Sequence, residues 1–523
     1  MAAVSTEKDA GREQPSSIMS AEKGQVLPVG LEEDAHTIEI LGYKQELHRN
    51  RSMLTLLFQS LAIAAIPYGE GGPLISAIYG GGPLSIFVGW LVVLVLNECI
   101  ALSLGELASK YPTSAGPYYW SFQIAKTSKV VMSFITGWVW LVGNWTITLS
   151  VNFGFASLIS ATISMYHEDY VAKAWHLLLM FYAVTLLTMI ICMFGNKFLP
   201  QVDTICAGFT ALSIFVILIA LSVKAEAGRH SAGYALGHYD QSFSGWGGFT
   251  FFIGLLPAAY TFSAIGMISS MAEECDHPAT KVPTAISLCV PVGGFFGIFF
   301  ILPICFTLPP LEDIIAAPAG QALPYIFHVV MGSPGGGLGL TFLVLVITLF
   351  CSISITTAAS RCTWAFARDD AIPGAKIFSQ VNTTLGVPVN AIILTTIVQM
   401  LLGLINLGST SAFTAFVSVG VQALAVSYAI PIGISLFTGR KDVSTAKWRM
   451  PKIVGPIVNV VALLWIAFEV VLFSMPTALP VTEVTMNYAS VVLVGFMAIA
   501  GVWYFAYARK VYDGPPESDG LAA

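Results

Sequence analysis

Charge is what this chain has least of. Only 10% of its 523 residues are Asp, Glu, Lys or Arg, against about a quarter in soluble domains. That scarcity excludes an ordinary charged surface. The net charge of −6 argues against a nucleic-acid partner. No cleavable signal peptide is visible, because the first fifty residues are polar and broken by Gly and Pro. No cysteine lies in a long polar loop, so Cys99, Cys192, Cys206, Cys275, Cys289, Cys305, Cys351 and Cys362 form no disulfide framework. The glycine pattern of an ATP phosphate cradle is missing, which argues against ATP drive. His167, His176, His230, His238, His277 and His328 are not at metal-ligand spacing, and no nucleophile–base set stands out. The expectation is therefore a protein that is not an enzyme and uses no cofactor or metal.

What the chain does have is apolar length. Apolar residues make up 56% of it, gathered near 53–79, 84–108, 130–163, 174–194, 198–222, 247–272, 284–308, 338–366, 388–407, 411–437, 454–474 and 488–508. Each run can cross a hydrocarbon core of about 30 Å as a helix. Helices are the element expected, since lipid leaves open backbone groups without partners. The fold class predicted is an all-α polytopic membrane protein of twelve transmembrane helices. Residues 1–50 are predicted to be a disordered cytoplasmic tail, and 509–523 a cytoplasmic C-terminal tail.

An even number of spans puts both termini on one side. With that side inside, 21 of the 24 Lys and Arg residues lie there, and only Lys173, Lys224 and Arg229 lie outside. This asymmetry sets both termini in the cytoplasm.

The first span contains IPYGEGGPL, with Pro67, Gly69, Gly71, Gly72 and Pro73 within seven residues. Such density predicts loss of the helix there. The sixth span contains LLPAAYTFSAIGM, with Pro257, Thr261, Ser263 and Gly266 around its middle. Interrupted helices at matching positions of two halves are the usual pointer to a transporter's binding site. Freed amides and helix-end dipoles there can hold a carboxylate without a basic side chain. The candidate substrate-binding set is Tyr68, Gly69, Glu70, Gly71, Gly72, Tyr260, Thr261, Phe262, Ser263 and Gly266. Aromatics beside the breaks can stack on an ammonium or simply pack.

Four further stretches carry a resemblance. They are GELASKYPTSAGPYYW (105–120), MAEECDHPATKVPTAI (271–286), ASRCTWAFARDDAIP (359–373) and PVTEVTMNYASVV (480–492). Over about residues 40–514 the chain resembles the amino acid–polyamine–organocation superfamily, in its fungal amino-acid/choline/GABA permease branch. The resemblance implies a LeuT-like fold. Residues 51–437 would form ten helices in five-plus-five inverted repeats, and 438–508 two additional helices. It implies plasma-membrane uptake of an amino acid or a related small amine such as choline or GABA, usually with protons. Many fungal relatives have an aspartate followed four residues later by a histidine in the sixth span. The matching positions here are Gly266 and Ser270, so no relative's substrate can be copied.

Ionisable groups inside the spans are expected to be functional. Glu70 sits between two glycines at mid-depth, to carry the coupling proton or pair with a substrate amine. Glu98, beside Asn97, is a second proton-coupling candidate or a structural hydrogen-bonding group. Glu469 lies beyond the ten-helix core and is expected to stabilise the bundle. At the cytoplasmic ends, Glu106 and Lys110 are spaced i,i+4. With Glu273, Glu274, Arg361 and Arg368 they are the inner-gate candidates, while Arg361, Arg368, Asp369 and Asp370 read as one mixed-charge cluster. Competing functions are a nutrient sensor built on the transporter fold, a facilitative exchanger and a channel.

Overall fold

A computed structural model describes residues 38–518, apart from 168, 318–319, 409–411 and 484–485. Among the described residues, twelve helices are long and apolar enough to cross a membrane: Met53–Gly71, Pro83–Lys110, Lys129–Tyr166, Ala174–Phe194, Asn196–Lys224, Gly247–Glu274, Pro278–Phe306, Pro334–Arg368, Val389–Leu407, Phe413–Phe437, Val454–Leu472 and Ala489–Ala506. Each coincides with one of the expected apolar runs. The chain is thus a multi-pass membrane protein. Among the described residues the only β pairing is two isolated bridges, Arg51 with Cys275 and Asn382 with Val387.

The early spans pack against the later ones. The first span meets the sixth, the second packs along the seventh, and the third packs on both the eighth and the tenth. The third span is the longest, at 38 residues, or about 57 Å at 1.5 Å per residue. Most of it is buried. The twelfth exposes most of its residues, as an outer helix facing lipid would. The ends that carry Arg51, Lys110, Arg368 and Arg440 share one face, called the basic face below.

Both interrupted spans are broken, within the expected stretches at Gly72–Pro73 and after Ser263, and also outside them at Ala65 and Gly254–Leu255. The first begins cleanly, where Ser52 and Thr55 form a capping box. It stops at Ala65, which is left-handed (φ 41°, ψ 52°), a conformation costly for a residue with a Cβ. A second helical piece then runs Ile66–Gly71, and a third runs Leu74–Tyr79 after a bend at Gly72–Pro73. The Pro67–Pro73 stretch is therefore mostly a short helix between two breaks. Pro67 falls in its first turn, where it has no helical hydrogen bond to forfeit. The sixth span runs Thr250–Ile253, breaks at Gly254–Leu255, resumes over Leu256–Ser263 and tightens into a 3-10 helix over Ala264–Glu274. The two broken spans touch at Gly69, where a Cβ would lie 2.7 Å from Thr261 Oγ1.

The expectation of a disordered tail over 1–50 is corrected for its last part. Ile38, Leu41, Tyr43 and Leu47 are buried in the protein. The amides of Asn50 and Arg51 donate to the Glu274 carbonyl at 3.0 and 3.1 Å. Residues 38–51 form a strap across the basic face. The rest of that tail lies outside the described residues.

Candidate functional site

The Ile66–Gly71 piece directs its side chains to opposite sides. The Tyr68 hydroxyl lies 3.4 Å from the carbonyls of Ser150 and Val151 in the third span. From the sixth span the Tyr260 hydroxyl comes within 2.9 Å of Ser150 Oγ. Tyr68, Tyr260 and Ser150 thus converge, with Gly69 and Thr261 in contact beside them. Glu70 is two residues beyond Tyr68, about 200° around the helix. It lies toward the seventh span, within electrostatic range of Cys305.

Glu70 is 2% exposed, its Oε2 has no hydrogen-bond partner, and it forms no salt bridge among the described residues. A lone carboxylate at such depth is costly and calls for a proton or a cation. Glu98 Oε2 is likewise buried and unpartnered. Glu469 is 2% exposed and shares a small cavity with Asn97, Ser263 and Tyr428.

The remaining candidates disperse. Gly71 abuts Leu323. Gly72 lies under the Tyr68 ring, 3.2 Å from where its Cβ would be. Phe262 turns to Trp90, with ring centroids 5.2 Å apart. Ser263 and Gly266 are covered by Tyr428, whose hydroxyl donates to the Ser263 carbonyl at 3.1 Å. Most polar residues of the third span satisfy themselves: Thr146 and Thr148 donate to carbonyls four residues back. Asn152 reaches across to Gln399.

The gate candidates are joined at the basic face, with partners that local spacing does not show. Glu274 lies between two guanidiniums, accepting from Arg51 Nε at 3.2 Å and Arg361 Nε at 2.8 Å. Arg51 also reaches Asp203 Oδ2 in the fifth span at 3.1 Å, and Ser354 of the eighth span donates to the same carboxylate at 2.7 Å. These side chains are at most 4% exposed. A second node holds Glu273, which accepts two hydrogen bonds of 3.0 Å from Arg368. The Arg368 guanidinium stacks 3.8 Å from the Tyr43 ring centre and 4.4 Å from that of Trp364. Asp369 accepts from the hydroxyls of Tyr43 (2.8 Å) and Tyr118 (2.7 Å). Burial pushes its carboxyl up to about 6, against the pull of Arg368 and both hydroxyls.

Two expectations change here. Arg361 is set apart from the expected cluster on Glu274, while Arg368 and Asp369 meet around Tyr43 in the second node. Glu106 is held by Arg440 Nη2 and the Met450 amide rather than simply by the residue four positions on. Lys110 lies 6.0 Å from the Tyr111 ring centre. Arg51, Asp203, Tyr43 and Arg440 were not among the predicted site residues. Of these Asp203 carried a signal, as a carboxylate inside an apolar run.

Broken helices packed on an unbroken one, with a buried ion-pair network at one face, fit a permease. The amino acid permease family model matches residues 54–497, and the chain belongs to that family. It is 28% identical to the choline transporter of Saccharomyces cerevisiae, over 91% of this chain and 84% of the relative. It is 31% identical to a rice protein named amino-acid permease BAT1 homolog, covering 91% of this chain and 94% of the relative. Against the polyamine transporter TPO5 of S. cerevisiae identity is 30%, covering 94% and 83%.

Proposed function

We propose that this chain takes up an amino acid or a related small amine across the plasma membrane by proton symport, with the basic face and both termini cytoplasmic. The observation that carries this is the division of labour on one short helical piece. Tyr68 faces Ser150 and Tyr260, while Glu70 is buried without a counter-charge on the other side. Tyr68, Tyr260, Ser150 and the Gly69–Thr261 contact are the substrate surface, where aromatic faces and hydroxyls suit an ammonium. Glu70 is the proton carrier, with Glu98 as a second candidate. Its charge state biases how the first span packs on the sixth and seventh. The latch of Arg51, Glu274, Arg361 and Asp203 holds the cytoplasmic exit shut and opens by exchange of partners. The relatives named for choline, amino acids and polyamines support a nitrogenous solute.

Radiolabelled uptake of amino acids, choline, GABA and polyamines in a permease-deficient yeast tests the reading. Uptake of one class is expected to rise as external pH falls and to collapse with a protonophore. Uptake indifferent to both identifies a facilitative exchanger instead, and binding without flux identifies a sensor. For orientation, Cys tags near residues 230 and 315 are expected to label from outside intact cells, and tags near 378 and 445 to stay unlabelled.

A further inference from the structure

The loop between the tenth and eleventh spans folds around a cavity of about 620 Å³ at the basic face, within the range of small-ligand sites. Four cationic residues line it, Arg440, Lys441, Arg449 and Lys452, and Glu106 is the one acid in the lining. Glu106 is already engaged by Arg440 and the Met450 amide. Lys441, Arg449 and Lys452 are exposed and form no salt bridge among the described residues. Three positive charges are thus left uncompensated around one hollow.

Arg440 gives the cavity a fixed wall. Its side chain is 10% exposed, its φ is 56°, and its Nε is buried without an acceptor. It lies so close over Gly455 that any Cβ there would collide with the guanidinium. Charge is not a general property of cavities on this face. The one beside Asn382, of about 490 Å³, contains Glu46 and His48 and no Lys or Arg. Topological anchoring needs basic residues but no hollow to hold an anion.

The surroundings distinguish a membrane source from a soluble one. Phe437 is 90% exposed and Ile453 80%, at the end of the tenth span and the approach to the eleventh, with exposed Ile457 one turn into the eleventh. An apolar strip thus leads from the cavity mouth along the lipid-facing side. We propose that this cavity binds the phosphorylated headgroup of an anionic phospholipid, with its acyl chains on Phe437, Ile453 and Ile457. The lipid belongs to the cytoplasmic leaflet, which rests on the orientation proposed above. A phosphomonoester plus the headgroup diester carries roughly −3 at pH 7, matching the three cations that form no salt bridge, of which Arg449 donates to the Ser444 carbonyl. Bidentate phosphate contacts suit the arginines. A phosphate at Arg440 competes with Glu106, so occupancy is felt at the end of the second span.

The test uses purified full-length protein and three probes: short-chain phosphatidylinositol monophosphate, free inositol bisphosphate and short-chain phosphatidylcholine. The monophosphate lipid is expected to bind and phosphatidylcholine not to. Lys441→Gln/Arg449→Gln/Lys452→Gln is expected to weaken binding roughly a hundredfold, about fivefold per lost charge. Lys441→Arg/Lys452→Arg is expected to retain affinity. Ser444→Trp, which fills the cavity and keeps the charge, is expected to lose it, and removing Lys376 from another loop on this face to change nothing. A triple variant that binds like the wild type overturns the site. Free inositol bisphosphate binding as tightly as the lipid overturns the membrane source. Binding is read without transport, so failure of the permease reading leaves a separate signature.

Discussion

Two groups of carboxylates in this protein stand in contrast. At the basic face Glu274, Glu273, Asp203 and Glu106 each have a cation in hydrogen-bond contact. Deeper in the spans Glu70, Glu98 and Glu469 have none among the described residues. Pairing fixes a charge and makes a carboxylate a structural tie, which moves only when a partner is exchanged. A carboxylate left alone in apolar surroundings is instead open to a proton or a ligand cation. The same kind of side chain is tied in one region and untied in the other. The test of this contrast is a uniform substitution, Glu→Gln, which keeps shape and removes charge.

The largest effect is expected at Glu274. Glu274→Gln leaves Arg51 and Arg361 buried without their common counter-charge. Breaking a buried pair from one side costs about 3–5 kcal/mol, so denaturation of the purified protein should shift by that order. A Cys placed on the strap should then become reactive from the basic face. Unchanged stability would remove the distinction between the two regions.

Glu70→Gln comes next, with effects on flux rather than fold. No partner is lost, so stability should stay within about 0.5 kcal/mol while pH-driven uptake falls roughly tenfold or more at normal surface expression. Retained exchange of preloaded substrate assigns the proton to Glu70, and loss of exchange with weakened binding assigns the substrate amine. Glu469→Gln sharpens the comparison from within the lone group. It lies outside the broken spans, so uptake is expected to change by about twofold or less.

The most local effect concerns Asp369, where only the pH dependence of stability is read. Its folded carboxyl is raised from 3.8 to about 6, so between those values the folded protein holds a proton that the unfolded chain has released. Stability from this group is therefore present below about pH 4, declines as pH rises, and is gone above about pH 6. At about 1.4 kcal/mol per unit the span is of order 3 kcal/mol. Asp369→Asn keeps an acceptor for the tyrosines and should flatten that slope. A stability profile over pH 4–7 unchanged by the substitution refutes it.

Much of the fold was legible because membrane spans announce themselves locally. Length and composition located all twelve, and the over-long third span read as such. The dense prolines and glycines of the first span signalled interruption correctly. They could not show that the chain turns left-handed at Ala65, since nothing in an alanine marks it out. The strap was missed because residues 38–51 are mostly polar, and their order depends on partners far away in sequence. Tyr43 meets Asp369 326 positions later, and Arg51 meets Glu274 223 positions later. Spacing pointed Glu106 to Lys110, whereas folding gave it Arg440, 334 positions on. At the site, Tyr68 and Glu70 could be nominated from composition. That they face opposite ways follows from the helical piece that survives between the two breaks.

The third span is a single unbroken rod touching both ends of the molecule. Near one end Ser133 bonds Tyr118 and Tyr512 at the basic face. At the other, Tyr166 packs on His328, and Ser150 lies between them against both broken spans. Tipped about Ser150, such a rod would act as a see-saw. A relative tilt of about 5° over a half-length of roughly 28 Å moves its ends about 2.5 Å in opposite senses. Loosening the contacts of Ser133 at one end would then tighten those of Tyr166 at the other, because the helix between them has no break to absorb the tilt.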